Sequence, residues 1–535
     1  MMEKNKKINF FSVDIIAYLL IIFFIIIFIF LSLGRHAALK SFQNDLGTYS
    51  QLTWNNLHGN FFESSGSMVG VTLKSDGSTN ENFNYLSAHF SPILLFFVPF
   101  YAICADPRIF LIIQVLACGI GALPIYWLAK EKLKSYWAGL VFLISFLLYP
   151  VLHNALLYDF HEVTLAVPFV TFFLWFWHKN KTGWMIFFIF LLLITQEHIS
   201  LIIFMFGLYL AFFQKKWKLG LGLAAFSLVY FFVILLFVIP SFSVTGESAL
   251  IKASNLDTRY SWLGTNLSEI FRNIIQRPWW VIKYIFGPKQ MDFFITLLLP
   301  LLGLSIFSAL FILTLPVLIL NFLSGFTMTY NIYFYHSVII SGIIYFSAIL
   351  AFAKMVKQPN WQRFYLIIIL LFSIITSYLY SVTPLSANYS FKDYQPSTNA
   401  KLLTEVKPLI PANAAVTIQH NLGPHFANRR KLFQFPFMVL KSDYVILDLY
   451  NPYADNPKLY FNFSNALTGI QDYNEKDFKA WLAYIYEMFE VEDFGVIYSK
   501  DGWLVFKRGA SQELNKSAKK DFEQALERFL SLKKE

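Results

Sequence analysis

Charged side chains are scarce in this sequence of 535 residues: Asp, Glu, Lys and Arg make up 14% of it, against about 25% in soluble domains. Apolar residues make up 56%, and 60 residues are Phe. Residues 15–33 contain no charge, and about 20 apolar residues span a bilayer as a helix. These runs do not alternate in polarity as barrel strands do. The sequence therefore excludes a soluble protein and predicts a polytopic α-helical membrane protein.

Cysteine is also scarce, since the chain contains only Cys104 and Cys118. Both lie in apolar stretches, so the sequence does not imply a disulfide framework. The net charge is +10, but the basic residues lie in short loops between apolar runs, where they report topology rather than nucleic-acid binding. Residues 1–14 contain no small-residue cleavage site, so we predict a retained first span rather than a removed signal peptide.

Lysine distribution predicts the topology, because basic residues concentrate in cytoplasmic connections. The predicted spans number about eleven: 13–33, 108–129, 136–152, 163–178, 183–196, 199–213, 219–240, 291–306, 308–323, 337–353 and 363–382. Basic clusters occupy alternate connections, at 4–7, 130–134, 179–181, 215–218 and 354–363. We therefore expect a cytoplasmic N-terminus, an extracytoplasmic C-terminal region and a location in the cell membrane.

Two apolar segments leave alternatives. Residues 91–105 are short and contain Pro92 and Pro99. A crossing there would put the next lysine cluster outside, so we predict a re-entrant or interfacial segment. Residues 291–323 lack a charged turn and allow one long tilted helix instead of two spans, although the basic cluster at 354–363 favours two.

The sequence predicts a membrane domain followed by a small external domain. The membrane domain covers 1–383, with external loops at 34–107 and 241–290. An external α/β domain covers 384–510, and a charged helical tail covers 511–535. Within the α/β domain we predict strands at 415–419 and 444–449, a helix at 475–490, and a hairpin of 495–498 with 503–507 that turns at Lys500-Asp501-Gly502.

Ionisable groups gather at the predicted external ends of the spans, where such groups are usually functional or paired. They are Asp45, His89, Asp159, His161, Glu162, Glu197, His198 and His336, with Tyr335 beside the last. Carboxylates and imidazoles together suit general-base catalysis, and their spacing leaves a divalent metal open. Helix capping is the alternative for Asp45 and for Asp159 with Glu162.

The loop 241–290 combines basic groups with tryptophans. Its cations are Arg259, Arg272, Arg277, Lys283 and Lys289, and its tryptophans are Trp262, Trp279 and Trp280. Such a set suits a lipid phosphate headgroup. The alternative is an ordinary aromatic belt with solvated charges.

Several motifs together resemble one family. They are Asp-Leu-Gly-x-Tyr-x-Gln-x-x-Trp-Asn at 45–55, His-Phe-Ser-Pro-Ile-Leu at 89–94, Asp-Phe-His-Glu at 159–162, and segments near 410–416, 422–429 and 442–448. The chain resembles the prokaryotic multi-pass membrane proteins of domain of unknown function 2079 over about residues 35–508. It departs from that pattern at Asn44 and at residues 196–198.

That family is similar to the C superfamily (GT-C) of membrane glycosyltransferases, which use polyprenyl-phosphate sugars and carry essential acids in the first two external loops. The resemblance implies transfer of a sugar from such a donor to a glycan, lipid or protein acceptor. It implies catalytic roles for Asp45, Asp159, Glu162 and Glu197, with Asp45 as base. Substrate-binding roles would fall to His89, His161, His198, Arg272, Arg277, Tyr335 and His336.

Two other functions stay open from the sequence. A transporter or flippase of lipid-linked sugars would place its polar groups near the midplane, often in repeated halves. No repeat is visible here, and the polar groups lie at the predicted rim, which favours an enzyme. A non-catalytic scaffold or sensor would work through its external domain and tolerate changes at the rim acids.

Overall fold

The computed structural model describes residues 9–66, 83–243, 259–449 and 475–532. The described chain is mainly helical and carries a small mixed sheet. It divides into two compact units. The first comprises Met1–Ser32, Leu86–Ile93 and Leu111–Ser390, and the second comprises Leu33–Tyr85, Leu94–Phe110 and Phe391–Glu535. Much of the long connection after the first predicted span therefore packs with the C-terminal region.

The apolar runs form helices of the expected kind. Five are long and apolar enough to cross a membrane: Val13–Ala37, Arg108–Leu133, Trp217–Ser241, Val338–Met355 and Pro359–Tyr380. A sixth candidate is the pair Tyr136–Leu147 and Pro150–Tyr158, bent by 41°. The bend lies just before Pro150, because a proline disfavours helical backbone at the preceding residue. The protein is thus a membrane protein with five or six candidate spans among the described residues.

The other predicted spans coincide with shorter helices. These are Glu162–His178, Thr182–Leu193, Ser200–Phe212, Pro288–Leu298 and Leu315–Leu323. Two further helices, Leu267–Gln276 and Pro278–Ile285, lie in the predicted loop 241–290, whose residues 244–258 fall outside the described ranges. By length and composition, these shorter helices do not add to the five or six candidates.

The segment 291–323 is not one continuous helix. Helix Pro288–Leu298 ends in a 3-10 turn, after which Leu302 and Gly303 take left-handed backbone with φ of 55° and 68°. Two more 3-10 turns, Leu304–Phe307 and Ala309–Thr314, lead into the next helix. The single long tilted helix considered as an alternative is therefore wrong.

Small residues bring two helices of the first unit close together. Ser200–Phe212 and Trp217–Val233 pack as a helical hairpin. A Cβ added at Gly207 would lie 2.7 Å from the carbonyl oxygen of Gly220, so only glycine fits. Close backbone approach through small residues is a usual way for helices to associate in a bilayer.

The first part of the second unit comes from the connection after the first helix. Residues Gln43–Gly47 form a π-helical turn that continues into helix Thr48–Leu57. Glu63–Ser64 (β1) pairs antiparallel with Phe83–Asn84 (β2). Residues Pro92–Ile103 form a short apolar helical segment, of which residues 94–103 belong to this unit. Its 12 residues agree with the prediction that 91–105 does not span, since a span needs about 20.

A five-stranded mixed sheet forms the core of the second unit. Its strands are β3 (Val416–Ile418), β4 (Leu432–Gln434), β5 (Tyr444–Asp448), β6 (Phe494–Lys500) and β7 (Trp503–Arg508). The order is β4-β3-β5-β7-β6. Strand β3 pairs parallel with β4 and β5, whereas β7 pairs antiparallel with β5 and β6. The predicted strands and hairpin are confirmed; β4 is an additional strand.

Both faces of this sheet are covered. Alternate residues of a strand point to opposite faces. Val445 and Leu447 of β5 pack in a cluster with helices Glu475–Met488 and Asn515–Leu532. Ile446 packs in a second cluster with the chain around 400–427, which includes the short helix Leu403–Val406. The predicted helix at 475–490 and the helical tail are therefore confirmed.

Candidate functional site

Two glutamates of the first unit hold the segment 89–91. Glu197 accepts hydrogen bonds from the ring of His89 at 3.0 Å and from the backbone N–H of Phe90 at 2.9 Å, one on each carboxylate oxygen. Glu162 accepts one from the hydroxyl of Ser91 at 3.1 Å. Both glutamates are buried. The segment thus ties together the start of helix Glu162–His178 and the turn before helix Ser200–Phe212.

The pair of His89 and Glu197 is an ion pair when His89 is protonated. Burial alone would lower the pKa of His89, but the charge and hydrogen bond of Glu197 outweigh that effect, and the pKa is raised above its usual value. Glu162 adds in the same direction. The imidazole therefore carries a proton over a wider pH range than a free histidine does.

Aromatic stacking places the next predicted residues. The rings of His161 and Tyr335 stack with their centroids 3.3 Å apart, and His336 lies beside Tyr335 at 4.3 Å. Burial lowers the pKa of His336, and the charges of Arg259, His161, His198 and His89 act in the same direction. The charges of Arg259 and of the other three histidines therefore act on His336.

Asp159 directly follows helix Pro150–Tyr158 as its C-cap residue. One of its carboxylate oxygens accepts a hydrogen bond from the N–H of Phe160 at 3.1 Å. The N-cap of the following helix is His161, with no side-chain cap bond. The capping-box alternative for Asp159 and Glu162 is therefore wrong. Glu162 itself lies in the first helical turn, where a negative charge suits the helix dipole.

Arg259 is exposed, and its charge links it to this cluster. Its charge acts on His89, His198 and His336. Arg272 and Arg277, which the sequence put forward for substrate binding, are exposed on and just after helix Leu267–Gln276, and the described contacts do not bring them to the histidines. Sequence reasoning noted Arg259 in the loop but did not select it. The position of a cation along a loop does not show whether the fold brings it near the histidines.

The resulting acid–histidine cluster consists of Glu162, Glu197, His89, His161, His198, Tyr335, His336 and Arg259. It combines carboxylates and imidazoles for proton transfer with a guanidinium for an anion. Within the described ranges, no three or more His, Cys, Asp or Glu side chains are arranged to hold a metal ion. We therefore assign no step to a metal.

Asp45 belongs to the second unit. It lies in the π-helical turn Gln43–Gly47 and is buried, and its charge acts on His420. His420 stacks on Phe42 with ring centroids 5.1 Å apart, and its carbonyl accepts from the N–H of Gln43 at 2.8 Å. The N-cap of the following helix is Gly47, so Asp45 is not a helix cap.

Burial lowers the pKa of His420 to about 4, and the negative charge of Asp45 opposes that effect. The imidazole is therefore neutral at pH 7 and faces an acid from the opposite end of the sequence. Sequence reasoning missed His420, although it lies two residues before Leu422, where the Leu-Gly-Pro-His segment used for the family resemblance begins.

Glycines surround the side chain of Gln43. Cβ atoms added at Gly47, Gly66 and Gly423 would all contact its amide, at 2.9, 2.8 and 2.8 Å from Cδ. The motif glycines at 47 and 423, from two distant segments, thus close on the same side chain. This is a physical reason why both motifs contain glycine at these places.

Gln51 links the motif helix to an edge of the sheet. Its amide oxygen accepts from Ser64, Ser65 and Gly66, and its amide nitrogen donates to the carbonyls of Arg429 and Arg430. Ser65 then exchanges two hydrogen bonds with the backbone of Leu432, the first residue of β4. The connection after the first helix therefore covers one edge of the sheet.

Polar side chains also follow the parallel strands. Gln419 and Asn421 come after β3, and Asp448 ends β5; the amide oxygen of Gln419 accepts from the N–H of Asp448 at 2.9 Å. Asn421 is fully buried, and neither of its side-chain amide atoms has a hydrogen-bond partner among the described residues. With β4 and β5 on opposite sides of β3, these residues lie at the strand ends where open α/β sheets bind ligands.

The comparisons with known proteins add one finding. A family model described as Predicted membrane protein (DUF2079) matches residues 35–476. No curated protein matches the chain.

Proposed function

The chain belongs to the DUF2079 family of predicted membrane proteins, and from this premise we propose that it is a membrane glycosyltransferase. It transfers a sugar from a polyprenyl-phosphate donor to an extracytoplasmic acceptor. The acid–histidine cluster of the first unit, with Arg259 beside it, is the observation that carries the proposal. The proposed topology in the cell membrane has about eleven spans, with a cytoplasmic N-terminus and an extracytoplasmic C-terminal domain.

The chemistry of the donor matches the groups in the cluster. An acceptor hydroxyl attacks the anomeric carbon, and its proton passes to a carboxylate while the new C–O bond forms. The bond between the anomeric carbon and the phosphate oxygen breaks, and polyprenyl phosphate leaves with the electron pair. Because the leaving group is already an anion, a guanidinium such as that of Arg259 stabilises it without a strong general acid.

The two glutamates have different surroundings and therefore different proposed roles. Both carboxylate oxygens of Glu197 accept hydrogen bonds from 89–90, which makes Glu197 a positioning residue. Glu162 accepts from Ser91 through one oxygen, and we assign it with Asp159 and His161 to orienting the acceptor. Asp45 is the proposed base, and the external α/β domain is proposed to recognise the acceptor or to regulate access.

The test uses the purified protein in lipid with a panel of polyprenyl-phosphate sugars and follows free lipid phosphate by mass spectrometry. Asp45→Asn should reduce turnover about 100-fold or more, as expected for loss of the general base. Glu162→Gln should also reduce turnover, because the acceptor is then held less precisely. Glu131→Gln removes an exposed carboxylate at the other end of helix Glu162–His178 and should leave turnover unchanged. Full activity of Asp45→Asn would remove the role of Asp45.

The arginines are compared in the same assay. Arg259→Gln should weaken donor use more than Arg272→Gln or Arg277→Gln, because only Arg259 acts on the histidines among these three. The reverse order would show that Arg272 and Arg277, on and just after helix Leu267–Gln276, bind the phosphate instead.

This assay and a second experiment in cells distinguish the other two functions. Movement of the lipid-linked sugar across the bilayer without release of lipid phosphate would favour the flippase. Unchanged glycan phenotype in cells that carry Asp45, Asp159 and Glu197 substitutions would favour the scaffold or sensor.

A further inference from the structure

A cavity of about 320 Å³ lies at the C-terminal end of helix Glu162–His178. Its lining includes Lys132, Lys216, Trp177, Tyr209, Phe346 and Leu350. The helix rises about 1.5 Å per residue, so 16 residues place this end about 24 Å from Glu162. The cavity, which we call the lysine pocket, is therefore separate from the acid–histidine cluster.

The charge of the lysine pocket is positive. The nearby carboxylate, Glu131, pairs with His178 and with Lys179, each at 3.0 Å. Neither Lys132 nor Lys216 has a carboxylate partner in the part of the chain that the structure describes. Both lysines are exposed, and without a carboxylate partner among the described residues they make this side of the cavity positive, which favours an anionic ligand.

The remaining lining combines apolar and hydrogen-bonding groups. Phe346 and Tyr209 are buried, Leu350 and Trp177 are half-buried, and together they supply an apolar wall. The amide of Gln214 donates to the hydroxyl of Tyr209 at 3.1 Å. A ligand that fills the pocket therefore has an anionic head near the lysines and an apolar part along the aromatic wall.

We propose that the lysine pocket binds the phosphoryl headgroup of an anionic membrane lipid. The neighbouring helices are apolar, so a lipid enters from the bilayer and keeps its acyl chains against them, whereas a soluble phosphate ester would leave the aromatic wall unused. Basic pockets between membrane helices bind acidic lipid headgroups through this combination of groups. The site is additional to the proposed glycosyl transfer and lies at the other end of the helix.

The test measures lipid retention by native mass spectrometry of the full chain, with phosphatidylglycerol and phosphatidylcholine as probes. Lys132→Gln with Lys216→Gln should weaken phosphatidylglycerol binding about 30-fold, from two lysines near an acidic headgroup. Lys134→Gln with Lys218→Gln removes the same charge from equally exposed positions two residues away that do not line the cavity, and should change little. Lys132→Arg with Lys216→Arg should retain binding.

Equal losses in the pocket and control variants, or equal retention of the two lipids by the unmodified protein, would overturn the proposal. In a second measurement, glycerol 3-phosphate competes with phosphatidylglycerol for the site. If it displaces phosphatidylglycerol at equal concentration, the site takes a soluble phosphate and the lipid assignment is wrong. Turnover of polyprenyl-phosphate sugars is measured in parallel, so that failure of the pocket and failure of the proposed enzyme are distinguished.

Discussion

Two Glu–His pairs have the same distance between nitrogen and oxygen but differ in burial, and burial changes how much such a contact contributes to stability. His89 and Glu197 lie 3.0 Å apart with 27% and 5% of their side chains exposed, and His178 and Glu131 lie 3.0 Å apart with 17% and 42% exposed. An exposed carboxylate keeps its water when its partner is lost. A buried one does not, so the two pairs respond differently to the same substitution.

We predict that Glu197→Gln lowers the free energy of unfolding by about 2 kcal/mol, since it weakens two charge-assisted hydrogen bonds at a buried site. Glu131→Gln should cost less than about 1 kcal/mol, as exposed pairs do. Equilibrium unfolding of both variants in mixed micelles measures the difference. Equal losses would show that the burial of Glu197 does not decide its contribution.

The same pair has a predictable pH dependence. The folded pKa of His89 is raised, so its contribution to stability is complete below its unfolded pKa of about 6.5. It is lost as pH rises through the folded value. The stability difference between the unmodified protein and Glu197→Gln should therefore shrink when the pH is raised from 6 to 9. A difference that grows over this range would contradict the pairing.

His420 should give the opposite pH dependence of stability. Burial lowers its pKa to about 4, so the folded state favours the neutral ring and stability falls as pH drops from about 6.5 to 4. His420→Gln should reduce this acid sensitivity of the second unit, with part remaining because burial also lowers the pKa of His425. Limited proteolysis of the C-terminal region across this range measures it. An unchanged acid profile in the variant would count against the burial of His420 as the cause.

At the scale of elements, two sequence-distant turns fit together through one side chain. The π-helical turn Gln43–Gly47 and the turn Gly423–Phe426 meet at Gln43. Because Gly66 closes a third side, Gln43 has no room to swing away when a methyl group is added. The fit therefore couples the motif after the first helix to the chain after β3.

We predict that Gly47→Ala destabilises the second unit by about 1–3 kcal/mol through overpacking. The φ of −63° at Gly47 is compatible with alanine, so the loss comes from the clash with Gln43 and not from the backbone. Gln43→Ala should restore part of the loss in the double variant, and thermal unfolding of the set measures the coupling. Gly222→Ala, where an added Cβ meets nothing within 4 Å, is the control and should not destabilise. Simple additivity of the two substitutions would contradict the fit.

Some elements were predictable from short-range patterns and others were not. The hairpin β6–β7 turns at Asp501 and Gly502, both with positive φ, as an Asp-Gly pair in a two-residue turn requires. Strand β4 is only three residues long and pairs parallel with β3. Its sequence therefore contains neither a hairpin turn nor a long alternating run that would predict a strand. Parallel pairing joins segments that are not neighbours in the chain, which local patterns do not record.

At the scale of the whole molecule, the lysine distribution makes a testable prediction about orientation. In a background with exposed Cys104 replaced by alanine, a membrane-impermeant maleimide should label Ser531→Cys in intact cells. It should label Lys181→Cys only after permeabilisation, because the lysine-rich connections are predicted to face the cytoplasm. Both positions are exposed. The reversed labelling pattern would invert the topology and move the second unit to the cytoplasm.

The sequence by itself determined the class of the protein, because the length of an apolar run and the scarcity of charge set membrane insertion without reference to distant contacts. It also located the local helices, the hairpin and most residues of the acid–histidine cluster. Only the tertiary structure decided that Arg259 acts on the histidines and that Asp45 faces His420 in the second unit. Those pairings join positions that are far apart in the chain, and only packing brings such groups together.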